Sequence, residues 1–503
     1  MAKRNMPVGL FYVSYYSDCT YELNSSLYLA LQTFVLNKLR NRDCYWLVLL
    51  AILCVVSRSF STIYYIEDLD SLRFALSVVE YDVKKLQPHF PAYPIFCFFS
   101  KLIYWASGSY ALAFSLLGGG STFGLIFFVL RLAKTKIGSD LGVYITFLLF
   151  FNPLLWLMGN RYMPDLFGLL FLMAALYFLS SIQKNHGLLG FFLCGLLPGV
   201  RLSYLPFLLP YLFVRFREDS RCFRLISFGL LGVLVWLIPL VTITGWDNLI
   251  ESARAQTIGH FNHFGGTVIT KSDYIERFVN LFKSLCADGF GLYWSGRNWV
   301  TIIPTVTLAL AVLLNWRIFL ERANKGLISS VGLWGCAIYL AWVLFFQNVV
   351  YKSRHILPLI PFLALIPAYI FSHFRVNRRP FNVGLIAVFV ICYVFITINL
   401  VAQHKRPTAI AQLHDYFIEK KIDDLHLVSV PLIKYYLSSQ GLSAVYIPIN
   451  DTEDLARLDQ ISSAVNLVSV GSPIEGLEPK IIKTFYHNPF VNRMWPKISL
   501  YQY

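Results

Sequence analysis

The chain has 503 residues, 56% of them hydrophobic and only 14% charged, and its mean hydropathy is +0.57. That leaves too little polar surface for a water-soluble domain of ordinary type, so the composition points to an integral membrane protein. The formal charge of +15 does not mark a nucleic-acid binder, because Lys and Arg occur in short clusters between long apolar runs rather than along one polar stripe.

Residues 1–44 show no charged start followed by a short apolar stretch and a small-residue cleavage site, so they read as a cytoplasmic N-terminal segment rather than a cleaved signal. A helix needs roughly 20 apolar residues to cross about 30 Å of hydrocarbon. Such windows lie near Tyr45–Tyr65, Tyr110–Leu132, Leu141–Met158, Leu166–Ile182, Phe223–Ile243, Val300–Asn315, Leu327–Val349, Ile356–Phe371 and Phe381–Val401. Between them, His186–Phe213 is interrupted by Pro198, Gly199 and Arg201, which predicts a hairpin of two short helices covered by other protein.

Orientation follows from the basic clusters, which short loops retain on the cytoplasmic side. They are Lys38, Arg40 and Arg42; Arg131, Lys134 and Lys136; Arg215, Arg217, Arg221 and Arg224; Arg317, Arg322 and Lys325; and Arg375, Arg378 and Arg379. Counting the broken stretch as two crossings puts all of them on one side and gives about 11 transmembrane helices, with the N-terminus cytoplasmic and the C-terminus outside. Residues 45–401 then form the membrane module, with outer loops at 66–109 and 244–298 and an outer turn at Gly159–Asp165. After Val401 the apolar runs shorten to strand length at Leu425–Val430, Ala444–Ile449, Val465–Val470 and Ile498–Tyr503, with a helical stretch at Ala409–Lys421. Residues 402–503 read as a small extracytoplasmic α/β domain built on a parallel sheet. The 9 cysteines form no CxxC and no Cys/His metal spacing, so they receive no chemistry.

The candidate chemistry lies on the outer side. The first loop opens with Glu67, Asp68 and Asp70, followed by Arg73, Glu80, Asp82, His89 and Tyr93. A carboxylate held where a helix leaves the membrane is partly desolvated, which raises its proton affinity and suits it to take a proton from a hydroxyl; a solvated loop is the plain alternative. Asp165 opens a later span, where it serves as a second acid of the same pocket or as a helix cap. Arg201, at the hairpin apex, is costly at depth unless it pairs with an acid or contacts an anion. Lys352, Arg354 and His355 break the positive-inside trend at the start of another span, and a phosphate accounts for cations placed there; interfacial lipid contact is the alternative. His260 and His263 lie in a loop facing the substrate, and two histidines alone make no metal site.

The run Asp70-Ser71-Leu72-Arg73-Phe74-Ala75-Leu76, with Tyr81-Asp82 and Gln87-Pro88-His89-Phe90-Pro91-Ala92-Tyr93-Pro94, resembles the first-loop signature of the GT-C superfamily of membrane glycosyltransferases. Asp165 in the second outer turn and Arg354-His355 before a Leu-Pro-x-x-Pro helix add to the likeness. Protein O-mannosyltransferases and the lipid A aminoarabinose transferase are the branches it is most similar to, over roughly Tyr45–Val401. The paired acid of that class is absent, since Ser71 follows Asp70, so Glu67, Asp68 and Asp70 all compete for the catalytic place. The resemblance implies a polyprenyl-phosphate sugar donor, a glycan, lipid or protein acceptor, and a bacterial inner-membrane enzyme acting on the outer side with inversion. It assigns Asp70 as general base, Asp165 as second acid, and Arg354 with Lys352, His355 and Arg201 to the donor phosphate. Some members use a divalent cation, which nothing in this sequence requires, and no resident cofactor is expected. A secondary transporter or lipid-substrate flippase is the rival class, but it predicts two matching halves with charges near the midplane.

Overall fold

The computed structural model describes residues 42–183, 185–264, 266–270, 273–323, 329–349, 352–377, 380–448 and 466–503. Residues 1–41, with Lys38 and Arg40, and also Lys325, Tyr351, Arg378 and Arg379, lie outside the described residues.

The apolar runs become helices because backbone in hydrocarbon must satisfy its own N–H and C=O groups. The first is α1 (Arg42–Phe60). The loop after it is helical, with α2 (Leu69–Val79) and α3 (Pro94–Ser107), the latter started by Pro94 and ended at Gly108, whose φ of 65° suits glycine. Next come α4 (Tyr110–Leu132), then α5 (Asp140–Phe150) and α6 (Pro153–Asn160), a single apolar pair bent by 53°. Pro153 opens the second half and Asn152 caps it by accepting from Leu155 N at 3.0 Å. At the break Arg58 of α1 donates to Phe150 O at 3.0 Å and lies 4.0 Å over the Trp156 ring. A membrane arginine thus satisfies a carbonyl that the bend releases.

After α7 (Asp165–Leu179) come α8 (His186–Leu196), a turn at Pro198–Arg201, and α9 (Leu205–Glu218). Arg215, near the end of α9, donates to Ser181 O at 2.9 Å, and a Cβ added at Gly187 would sit 2.6 Å from its Nε. The 28 positions between Gly187 and Arg215 would span about 42 Å as one straight helix, so the chain folds back with Arg201 at its apex. Close packing on α10 (Cys222–Thr244) needs glycine: a Cβ at Gly195 would meet Gly229 O at 2.0 Å.

The segment after α10 carries α11 (Trp246–Ile258) and α12 (Tyr274–Lys283), with π-helical turns at Gly259–His263 and Ser284–Gly289. The remaining apolar helices are α13 (Ile302–Ala323), α14 (Ser330–Phe346), α15 (Ile360–Asn377) and α16 (Pro380–His404). Among the described residues seven helical stretches are long and apolar enough to cross a bilayer, or eight with the bent pair as one crossing, while α7 and α14 are shorter apolar helices.

The C-terminal part contains α17 (Ala409–Lys420), β1 (Leu425–Ser429), α18 (Pro431–Ser438), β2 (Val445–Pro448), β3 (Asn466–Val470), β4 (Ile481–Tyr486) and β5 (Lys497–Gln502). The sheet order is β2-β1-β3-β5-β4. It is mixed rather than parallel: β1 runs parallel to β2 and β3, whereas β5 is antiparallel to both β3 and β4. The physical reason is the short link from β4 to β5, which permits antiparallel pairing but no parallel crossover. Leu69, Leu72 and Phe74 of α2 share one core with Ile410, Tyr436 and Leu500, so the loop after α1 and the sheet are packed together.

Candidate active site at one end of the helix bundle

Glu67, Asp68 and Asp70 occupy the entrance to α2. Asp68 caps the helix by accepting from Ser71 N at 2.9 Å, which brings Asp70 into the first turn. Asp70 Oδ2 then meets Lys352 Nζ at 2.6 Å and Arg354 Nη2 at 2.7 Å, while its Oδ1 lies 3.8 Å from Arg73 Nη1. Asp165, at the start of α7, pairs with Arg201 Nη2 at 2.9 Å and lies 3.8 Å from Arg354 Nε. Arg354 therefore bridges the two acids. From the far side Arg201 donates to Tyr93 Oη at 3.2 Å, and Tyr93 Oη lies 3.2 Å from His89 Nε2.

Two carboxylates and four cations thus meet in one buried cluster drawn from four distant chain segments. The packing that delivers Arg201 is tight, since a Cβ at Gly168 would fall 2.5 Å from Arg201 Cβ. His355 is buried next to Arg354, and its backbone carbonyl accepts from Tyr339 Oη at 2.9 Å.

Desolvation alone predicts a raised proton affinity for Asp70, and the structure has the opposite balance. Burial pushes the carboxyl up, but the Lys352 ammonium and the Arg354 guanidinium outweigh it and hold Asp70 well below the usual carboxylate range. His89 is pulled to about 3 by burial, with Arg73, Lys352 and Arg201 adding to the effect against the attraction of Asp70, so it is neutral near pH 7. The local excess of positive charge can accept an oxyanion, with the arginines offering paired N–H groups.

The other acids of the run go elsewhere. Glu67 pairs with Arg161 at 2.7 Å and lies 3.3 Å from His404 Nε2. Asp68 directs its second oxygen to Asn492 Nδ2 at 3.1 Å. Asp82 stands apart, its side chain 32% exposed and its Oδ1 accepting from Lys84 N at 2.9 Å in a local turn. His260 Nε2 lies 2.9 Å from Phe346 O, and His263 is exposed in the π-helical turn. Among the described residues no three His, Cys, Asp or Glu side chains are grouped to hold a metal ion.

The sequence reading did not single out Arg161, His404, Asp288, Asn492 or Arg493. Arg161 carries a usable signal: it sits in a turn expected on the outer side, against the positive-inside trend, as Lys352 and Arg354 do.

No family model matches this chain, and no curated protein does. Among solved structures, ArnT from Cupriavidus metallidurans in the apo state is similar over 92% of this chain and 98% of its own, with a TM-score of 0.51 and 14% identity. The Archaeoglobus fulgidus oligosaccharyltransferase, solved in complex with zinc and sulfate, aligns over 84% of this chain and 67% of its own, with a TM-score of 0.44 and 10% identity. The ArnT likeness shows the fold: a bundle of long apolar helices with a small sheet at the C-terminus.

Proposed function

We propose that this protein is an integral membrane glycosyltransferase that moves a sugar from a polyprenyl-phosphate donor to an acceptor on the extracytoplasmic face, with inversion at the anomeric carbon. The observation that carries this reading is the cation-rich cluster in which Arg354 spans Asp70 and Asp165. An excess of positive charge at a membrane rim calls for an anion, and a phosphate delivered on a lipid reaches that rim from within the bilayer.

On this reading the donor phosphate takes Lys352 and Arg354 as partners. Asp70 then loses the two cations that suppress its proton affinity and becomes a competent base. It removes the proton from the acceptor hydroxyl as that oxygen bonds to the anomeric carbon. The bond from that carbon to the phosphate oxygen breaks, and its electron pair leaves with the polyprenyl phosphate, whose charge Arg354 and Lys352 stabilise. Asp70 passes the proton to water. Asp165 holds Arg201 and steadies Arg354. The basic clusters support the reading that this end of the bundle lies outside the cytoplasm, with residues 402–503 as the outer domain beside it. The acceptor is a glycan, a lipid or a protein.

The test is transfer from polyprenyl-phosphate sugars to candidate acceptors by purified protein. Asp70→Asn is expected to insert normally and to lose turnover by at least about 100-fold, the scale of a lost general base. Wild-type turnover by that variant would move the base to Asp68 or Glu67. Substrate uptake by sealed vesicles without sugar transfer in detergent would instead mark a transporter.

A further inference from the structure

One loop of the C-terminal part reaches both halves of the charge cluster. Between β4 and β5, His487 Nδ1 accepts from Ala409 N at 3.0 Å, which leaves its Nε2–H to donate to Asn492 O at 2.8 Å. Arg161 also donates to Val491 O, so the loop is held from two directions. Asn492 Oδ1 accepts from Met494 N at 2.8 Å, which turns its amide Nδ2 towards Asp68. Asp68 is the cap of α2, and Asp70 lies two residues further on. The next residue faces the other half. Arg493 Nη1 donates to Val349 O at 3.1 Å, three positions before Lys352, and its Nη2 pairs with buried Asp288.

More of the C-terminal part grips the segment that leads into α2. Tyr436 Oη donates to Ile66 O, and Thr408 Oγ1 donates to Glu67 O at 2.8 Å. These contacts do not touch the reacting region, but they fix the backbone on which its acid and its cations stand.

We infer that Asn492 and Arg493 are positioning residues, Asn492 setting the acid arm through the Asp68 cap and Arg493 setting the cation arm through Val349. The inference rests on the reading of Asp70 as base and of Lys352 and Arg354 as phosphate ligands. It assigns the outer sheet a part in catalysis beyond any contact with the acceptor. A side chain that orients a reacting group earns its effect through geometry, and a displacement near 1 Å costs up to about 100-fold in rate.

The two residues act on different arms, so their removal is separable. In the full-length protein, Asn492→Ala is expected to lower kcat by about tenfold with donor KM within about twofold, because the base moves while the phosphate ligands stay. Arg493→Ala is expected to raise donor KM, and the Kd for inorganic phosphate, by about tenfold with kcat within about threefold. Arg493→Lys, which keeps the charge beside Asp288, is expected to recover part of that affinity. Hydrogen exchange supplies a readout that needs no turnover: Asn492→Ala should speed exchange at Ser71 and Leu72, and Arg493→Ala at residues 352–356.

Identical changes in kcat and KM for both variants, or exchange that rises everywhere alike, would mean a general loss of stability and would overturn the inference. If the wild type neither transfers sugar nor binds phosphate, the functional reading fails on its own. The two exchange patterns then still decide whether this loop holds the two arms separately, and wild-type exchange in both variants would sink that idea too.

Discussion

Glu67 and Asp70 stand three residues apart, both buried, and end in clusters of opposite character. Glu67 faces Arg161 and His404 in a closed pair whose loop is held by the C-terminal part. Asp70 faces Lys352, Arg354 and Arg73, with Asp165 and Arg201 behind them. The first cluster is balanced and the second carries excess positive charge. Acids adjacent in the chain are therefore sorted by the cations that remote segments deliver, and the balanced one has no electrostatic reason to take up a ligand.

The sharpest way to break that contrast is to remove the shared cation of the second cluster. Arg354→Ala is expected to lower turnover by at least about 100-fold, the loss typical of a key charge stabiliser, while the protein still inserts and folds. Turnover within a few-fold of wild type would place phosphate binding elsewhere. Next in size is Gly168→Ala. The added methyl group meets Arg201 at its Cβ, which cannot swing aside as a flexible tip could, so Arg201 must shift away from Asp165. A loss of about tenfold in kcat/KM is expected, and unchanged kinetics would show that Arg201 has no part in holding Arg354.

Much of this arrangement was legible in the sequence, because membranes penalise charge. Lys352, Arg354 and Arg201 are conspicuous as cations at apolar positions, and Asp70 and Asp165 as acids at span ends. The folded-back stretch around Pro198 was readable from charge parity alone. What remained hidden was pairing. Asp70 and Arg354 are 284 positions apart, and no local pattern tells which of Glu67, Asp68 and Asp70 a distant arginine will choose. The reversed proton affinity of Asp70 follows from the same gap, since burial is visible in a span boundary but its cations are not. Asn492 and Arg493 were invisible for another reason: they lie in a loop between two strands, where Asn and Arg are ordinary. The parallel sheet expected from strand-length runs failed because β4, whose Lys483 and Thr484 break the apolar pattern, was not foreseen, and its short link to β5 permits only antiparallel pairing.

For the balanced cluster the expected effect falls on stability rather than turnover. Glu67→Gln leaves Arg161 buried without its counter-charge, a change that costs about 3–5 kcal/mol in buried pairs, yet activity per folded molecule should stay within about threefold. A pH series sharpens this further. Burial opposes ionisation of Glu67, but Arg161, His404 and Asn492 outweigh it and take the carboxyl from 4.5 to about 2. A depressed folded pKa means that the unfolded chain binds the proton more readily, so the stabilisation is complete above pH 4.5 and fades as pH falls towards 2. Thermal unfolding of the wild type should therefore drop across that window, and Glu67→Gln should give a shallower decline. Equal slopes for the two proteins would mean that Glu67 is not the acid so held.

The smallest effect belongs to the acid that neither cluster recruits. Asp82 shares the first loop and the residue type with Asp70, so composition alone gives it the same claim. Its oxygen instead accepts from Lys84 N and Lys85 N within a local turn, and its exposed side chain remains in water's dielectric, 3.9 Å from Lys85 Nζ. Exposed pairs of that kind contribute about 0–1 kcal/mol. Asp82→Asn keeps the turn's acceptor oxygen, so turnover should stay within about twofold and the melting temperature should barely move. A loss comparable to that of Arg354→Ala would place Asp82 in the working pocket of a rearranged first loop, and the division of labour drawn from Glu67 and Asp70 would have to be redrawn around three acids.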